Sequence, residues 1–158
     1  MLRDAALVPL SHQHQHALAL CVKIDRALKK PNPDLARWNR EAASLFADEV
    51  RFHFEAEETR LFPRARQLAD LAALVDELLG EHRELREAVR GAQAGALAAE
   101  ALAHLAQLLS SHIRKEERQL FEEMQRRLPA ADLAELGALL HDYFHGHGLL
   151  EGQACRLR

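Results

Sequence analysis

The sequence predicts an all-α protein: an antiparallel, up-down-up-down four-helix bundle followed by a short fifth, C-terminal helix. Three observations carry the prediction. Hydrophobic residues make up 48% of the 158 positions, Ala and Leu are abundant, and there are only seven Gly and five Pro, the composition of a helical chain. Apolar residues recur every three or four positions in five successive stretches, as an amphipathic helix requires. The connections between the first four stretches are short, which makes consecutive helices antiparallel neighbours.

The first helix spans Leu7 to Leu28 on the stripe Leu7, Leu10, His14, Ala17, Cys21, Ile24 and Leu28. Lys29-Lys30-Pro31-Asn32-Pro33 stops it, with cations at the C-terminal end and prolines just beyond. Asp34 is placed to cap a second, long helix that runs to about Arg60 through Leu35, Trp38, Ala42, Phe46, Val50, His53 and Glu57. Pro63 is expected to break or kink it, with a turn or two resuming over Arg64 to Leu68. The third helix starts near Asp70 and carries Leu71, Val75, Leu78, His82, Leu85 and Val89. Gly80 inside it costs about 1 kcal/mol relative to Ala, which points to close packing there. Gly91 to Gly95 form the next connection. The fourth helix, from about Leu97 to Arg127, carries Ala101, Leu105, Leu108, His112, Glu116, Leu120 and Met124, and Pro129 ends it. The fifth, Ala131 to about Phe144, shows Leu133, Leu136, Leu140 and Phe144. Residues 1–128 are thus expected to form the bundle, and 129–158 a C-terminal helix and tail packed on or beside it. The tail from Gly146 has weak periodicity and is expected to fray.

Composition also excludes function classes. A formal net charge of −3 without a basic stripe argues against a nucleic-acid partner. No apolar run reaches a membrane span and the start lacks a signal-peptide core, so the expectation is a soluble cytoplasmic protein. Cys21 and Cys155 do not make a disulfide framework and are expected as thiols. No Ser-His-Asp arrangement, Gly-rich phosphate loop or active-thiol motif is visible, and no feature signals an oligomeric state. Ten His residues in so short a chain are the anomaly.

The His are not scattered. Residues 53–62 read His-Phe-Glu-Ala-Glu-Glu-Thr-Arg-Leu-Phe and residues 112–121 read His-Ile-Arg-Lys-Glu-Glu-Arg-Gln-Leu-Phe. Both are His-x-x-x-Glu-Glu-x-x-Leu-Phe, at an offset of 112 − 53 = 59 residues. A His and a carboxylate four positions apart share one helix face and can grip a metal ion from two sides. His14 and His82 occupy stripe positions on the first and third helices, so the bundle reads as two copies of one hairpin. Six residues, His14, His53, Glu57, His82, His112 and Glu116, therefore interrupt stripes that are otherwise apolar. A lone His on such a stripe is ordinarily a hydrogen-bonded core residue, and a single His-x-x-x-Glu an ordinary helix-face pair. Two buried carboxylates at matching positions, however, repel unless a cation lies between them. Imidazole and carboxylate without thiolate suit iron, manganese or zinc. The reading is a dinuclear metal site, with two iron ions favoured and zinc or manganese possible.

The neighbouring groups are read from helix geometry. Glu58 and Glu117 lie five positions after His53 and His112, about 140° round an α-helix, against about 40° for Glu57 and Glu116. They are therefore expected to face solvent or a salt bridge. His12 and His16 point away from His14 and read as surface residues, or as groups that hand metal inward. His141, His145 and His147 read as a solvated face, with an accessory site as the alternative. Each ligating His needs an acceptor for its other ring nitrogen, and Glu49, one turn before His53, is the candidate.

Over roughly Leu7 to Arg127 these motifs resemble the hemerythrin-like (HHE cation-binding) domain family. The resemblance implies a four-helix bundle around a non-haem di-iron centre, with His14 and His53 on one iron, His82 and His112 on the other, and Glu57 and Glu116 bridging. Two positions depart from the oxygen carriers of that family. Where they have a second His on the third helix this chain has Arg86, which cannot coordinate a cation and is expected to snorkel outward, the alternative being to lie near the pocket and steady an anionic ligand. Where they use an Asp five positions after the fourth-helix His this chain has Glu117, which stays open as an alternative to Glu116. Losing a His ligand points away from reversible oxygen carriage and towards binding or sensing of oxygen, nitric oxide or peroxide, or iron handling. The alternatives are a di-iron peroxidase or oxidase, and a metal-free helical interaction module.

Overall fold

A proline opens the first helix, where its missing N–H would have had no partner anyway. In the computed structural model, which describes residues 2–150, α1 is Val8–Leu28 with Pro9 in its first turn. Cys155 and the tail from 151 lie outside the described residues. Asp34 caps α2, its carboxylate accepting the Arg37 N–H at 3.0 Å. α2 is one continuous rod built from Leu35–Leu45, a π turn at Phe46–Val50, Arg51–Ala56, a second π turn at Glu57–Leu61, and Phe62–Ala65. A 3₁₀ turn, Ala69–Leu71, leads into α3, Ala72–Gln93. α4 combines Ala99–Lys115, a π turn at Glu116–Leu120 and Phe121–Arg127, and α5 is Ala130–Gly146. No strand occurs among the described residues.

Two expectations are corrected here. Pro63 does not break α2. The preceding π turn, closed by the Phe62 N–H on the Glu57 carbonyl, widens the backbone where the ring would otherwise meet the carbonyl four residues back. Helix continues to Ala65, after which single turn bonds carry the chain through Arg66 to Leu68. Gly80 does not mark close packing either, because a Cβ there would meet only Arg83 Nη2, at 3.7 Å. The close approach is at Gly137 on α5, where a Cβ would come within 3.0 Å of Ala6 Cα and Cβ.

The third helix ends in a Schellman motif. Gly95, at φ +66°, donates to the Ala92 carbonyl, and Ala96 reaches back to Gly91; only a residue free to adopt positive φ closes that loop cheaply. Buried Asn39 then fastens the connection to α2. Its amide donates to the Leu35 and Leu97 carbonyls at 2.8 and 3.0 Å, and its oxygen accepts from the Leu97 N–H at 3.1 Å.

Helix α1 lies against α4 and α2, α2 against α3, and α3 against α4, while α5 lies along the middle of α2. Leu133, Leu136, Leu140 and Phe144 of α5 join Leu7, Leu10, Leu61, Phe62, Leu120 and Phe121 in one apolar cluster. Towards the other end, Ala42, Val50, Phe54, Leu85 and Leu105 form a second cluster, and Cys21, Ile24, Trp38, Leu102 and Ala106 a third. His14, His53, Glu57, His82, His112 and Glu116 are all buried. In sequence His14, His82, His112 and Glu116 fall between the residues of the first cluster and those of the other two. His53 and Glu57 flank Phe54 and Ala56, where the first and second clusters meet, so the six form a polar layer across the core. Among the described residues no helix is long and apolar enough to cross a membrane.

Candidate metal centre

Helical spacing alone turns one nitrogen of each stripe His inward. His53 and Glu57 approach at 3.0 Å (Nε2 to Oε1), and His112 and Glu116 at 3.2 Å, each pair one turn apart on its own helix. The other two His complete the layer from the neighbouring helices: His14 Nε2 lies 3.2 Å from Glu116 Oε2, and His82 Nε2 lies 3.3 Å from Glu57 Oε2. The six residues form two groups of potential ligand atoms, each within 4.8 Å of one another: His14, His53, Glu57 and Glu116; and His82, His112, Glu57 and Glu116. The two carboxylates belong to both groups. Both are 0% exposed.

The outer ring nitrogens are all held. His14 Nδ1 donates to Glu117 at 2.7 Å, His82 Nδ1 to Glu58 at 2.7 Å, His112 Nδ1 to Glu81 at 2.8 Å and His53 Nδ1 to the Gln13 amide oxygen at 2.8 Å. Burial works against ionisation of Glu58 and Glu117. The hydrogen bonds from His82 and Arg86 nevertheless hold Glu58 at a pKa of about 2, and those from His14 and Ser11 hold Glu117 at about 2. An ionised carboxylate only accepts, so the proton of each imidazole belongs on Nδ1 and the Nε2 lone pair points into the core.

Of the two placements expected for Glu58 and Glu117, the salt bridge holds, with Arg86 and Arg3, and the solvent-facing one is corrected. The arithmetic assumed an unbroken α-helix, but each Glu-Glu pair opens a π turn, which takes in one extra residue and swings the second carboxylate back towards the bundle. Glu116 is turned inward and Glu117 onto the His14 ring. The repeated motif is legible in full once this is seen. Glu58 and Phe62 serve the same partner, His82, whose ring lies 5.5 Å from that of Phe62; Glu117 and Phe121 serve His14, with the Phe121 ring stacked at 5.6 Å. The repetition of the second Glu and of the Phe was the sequence signal for both roles.

Two further readings change. Glu49 does not serve His53; it accepts from His16 Nδ1 at 2.9 Å on the surface. Arg86 does not reach outward but donates to Glu58 at 2.7 Å, on the oxygen that also meets His82, and lies over the Phe54 ring. On the other hairpin Arg3, from the segment before α1, donates to Glu117 at 2.6 Å. Of the remaining His residues, His12 is exposed, the His141 and His145 rings stack on each other, and His147 donates to the Tyr143 carbonyl. None of these joins either group.

The inner face has the donor chemistry of a cation site. His14 Nε2, His53 Nε2 and all four oxygens of Glu57 and Glu116 are buried without a hydrogen-bond partner, and His82 Nε2 faces His112 Nε2 at 3.1 Å. Lone pairs aimed at one another in a dry core are costly unless a proton or a cation separates them. In the protein alone, protons do so. Burial disfavours charged rings, but Glu116 and Glu117 push the His14 pKa up to about 9, and Glu116 and Glu81 push that of His112 up to about 10. Glu116 is correspondingly driven well down, against its own desolvation, by His112 and His14. Four imidazole nitrogens and four carboxylate oxygens, with no thiolate, fit a pair of first-row divalent ions.

Beside the layer lies an apolar cavity. Its wall includes Ala17, Val50, Phe54, Leu109 and Ile113, together with Gln13, His14, His53 and His112. A second cavity, lined by Cys21, Ile24, Leu85, Val89 and Leu105, shares Val50, Phe54 and Leu109 with it.

The sequence model of one family, described as the Hemerythrin HHE cation binding domain, matches residues 7–124. No curated protein and no solved structure matches the chain.

Proposed function

This chain belongs to the hemerythrin HHE cation-binding family, and from that premise we propose that it is a non-haem di-iron protein that binds or senses a small ligand such as oxygen, nitric oxide or peroxide, or handles iron. In this reading His14 and His53 would hold one ion and His82 and His112 the other, with the carboxylates of Glu57 and Glu116 shared between the two. The reading takes residues 1–128 as an antiparallel four-helix bundle with a C-terminal helix appended to it, and the helices α1 to α5 of the described residues support it. The reading extends to a cytoplasmic setting, where buried Cys21 stays a thiol.

The observation that carries the reading is the convergence of four Nε2 atoms on two fully buried, shared carboxylates while every Nδ1 is held from behind. When bound, a pair of iron ions supplies open coordination positions and one-electron redox chemistry. The protein does the rest. The outer acceptors fix each ring and raise its basicity. Phe54, Phe62 and Phe121 cover the rings and exclude water. Val50, Leu109 and Ile113, with Gln13 and Glu49, line a cavity beside the layer whose accessible wall is apolar and suits a small neutral ligand. The alternative reading, a di-iron peroxidase or oxidase, requires turnover with a reductant.

Metal analysis of protein purified without added metal, paired with absorption spectra in air and after anaerobic reduction, tests the proposal. Two irons per chain and a near-ultraviolet band that bleaches on reduction are expected. A folded helical protein that takes up no metal would overturn it in favour of a helical interaction module.

A further inference from the structure

The two hairpins repeat their stripe His, their His-x-x-x-Glu-Glu run and the Phe that follows it, but not the residue before the stripe His. The residue before the stripe His is Gln13 on α1 and Glu81 on α3, and each is the acceptor for the His of a neighbouring helix, Gln13 for His53 and Glu81 for His112. Three of the four imidazoles are therefore backed by a carboxylate, and each of those carboxylates is itself anchored by a cation: Glu117 by Arg3, Glu58 by Arg86 and Glu81 by Lys115. His53 alone among the four is backed by a neutral amide. Hydrogen bonds to an ionised acceptor are roughly twice as strong as neutral ones, and a carboxylate partner makes the ring a better donor to metal.

We infer that the two metal positions are inequivalent and that Gln13 is the positioning residue that makes them so. The position served by His82 and His112 has two carboxylate-backed imidazoles and binds first and more tightly. The position served by His14 and His53 has one, binds second and exchanges more readily. His14, His53 and Gln13 also line the cavity beside the layer, together with His112 but not His82. The cavity therefore meets both imidazoles of the weaker position and one of the tighter position. This rests on the di-iron reading above.

Anaerobic titration of the metal-free chain with cobalt(II), followed by its visible absorption and by calorimetry, tests it. Wild type is expected to take up two ions in two resolved steps. Gln13→Glu should strengthen the second step about 10-fold or more and draw the two together, leaving the first in place. Gln13→Leu should weaken the second step by a similar factor, and Glu81→Gln should weaken the first instead. Circular dichroism of each variant separates these shifts from misfolding, and the wild-type titration stands whether or not Gln13→Glu folds. Two ions taken up with indistinguishable affinities in wild type, or Gln13 and Glu81 variants that move the same step, would overturn the inference while leaving the dinuclear site intact. Uptake of no cobalt would instead overturn the dinuclear site, and the inference with it.

Discussion

At the scale of single residues, the layer separates groups that would touch metal from groups that hold those groups. Replacing both Glu57 and Glu116 by Ala should remove the bridges, and metal content should fall to near zero; two irons retained in the double variant would refute their assignment. Glu58→Gln or Glu117→Gln leaves every inner atom in place, and should lower metal affinity about 10- to 100-fold with the helical spectrum unchanged. The inner set was legible in the sequence because His and Glu sit on stripes that should be apolar, and sit there twice. The outer set was not. Gln13 and Glu81 serve His residues on other helices, and periodicity along one helix says nothing about which neighbour a side chain will meet. Cys21 is a plainer case: burial pushes its thiol pKa up to about 11. In a Cys155→Ser background it should react slowly with a disulfide reagent at neutral pH until the protein is unfolded.

Among the elements, helix existence and order were legible, but not their internal irregularity. The sequence offers no periodic mark of a π turn, yet three interrupt α2 and α4, and two begin at the matching residues Glu57 and Glu116. Pro63 is not their cause, since Glu122 stands at the matching place, 59 residues on, in α4. The glycines give a direct check on helix packing. Gly80→Ala adds a methyl that meets only an Arg83 tip and removes a helix-weakening residue, so it should stabilise the protein by about 1 kcal/mol. Gly137→Ala drives a methyl against Ala6 and should destabilise it by roughly 1–3 kcal/mol. Urea unfolding of the two variants should displace the midpoint in opposite directions; a shared direction would mean that the α5 contact is looser than described.

For the molecule as a whole, the polar layer ties stability to both protons and metal. In the metal-free chain the raised His14 and His112 pKa values contribute stability that is fully present below about 6.5, the unfolded value. It is lost as pH rises through about 9 and about 10. Metal must displace those protons, so its affinity should grow over the same range. Thermal unfolding with and without chelator should therefore show a gap that widens from pH 6.5 to pH 9.5; a gap that narrows would contradict the proton arrangement. The first residues of the chain belong to this account as well. Arg3 reaches Glu117, and Asp4 and Gln125 fasten the same segment to α4. Yet they precede the helix that carries His14 and are held at its margin by hydrogen bonds, the Arg3–Glu117 ion pair and the contact of Arg3 over the Phe121 ring. An aminopeptidase that trimmed the chain past Arg3 would cut no helix and remove no metal-binding atom, but it would strip the cation behind the carboxylate that orients His14. Limited digestion from that end should thus loosen the candidate metal centre at His14 before it harms the helices, so the proteolytic history of a sample would be written in its metal content.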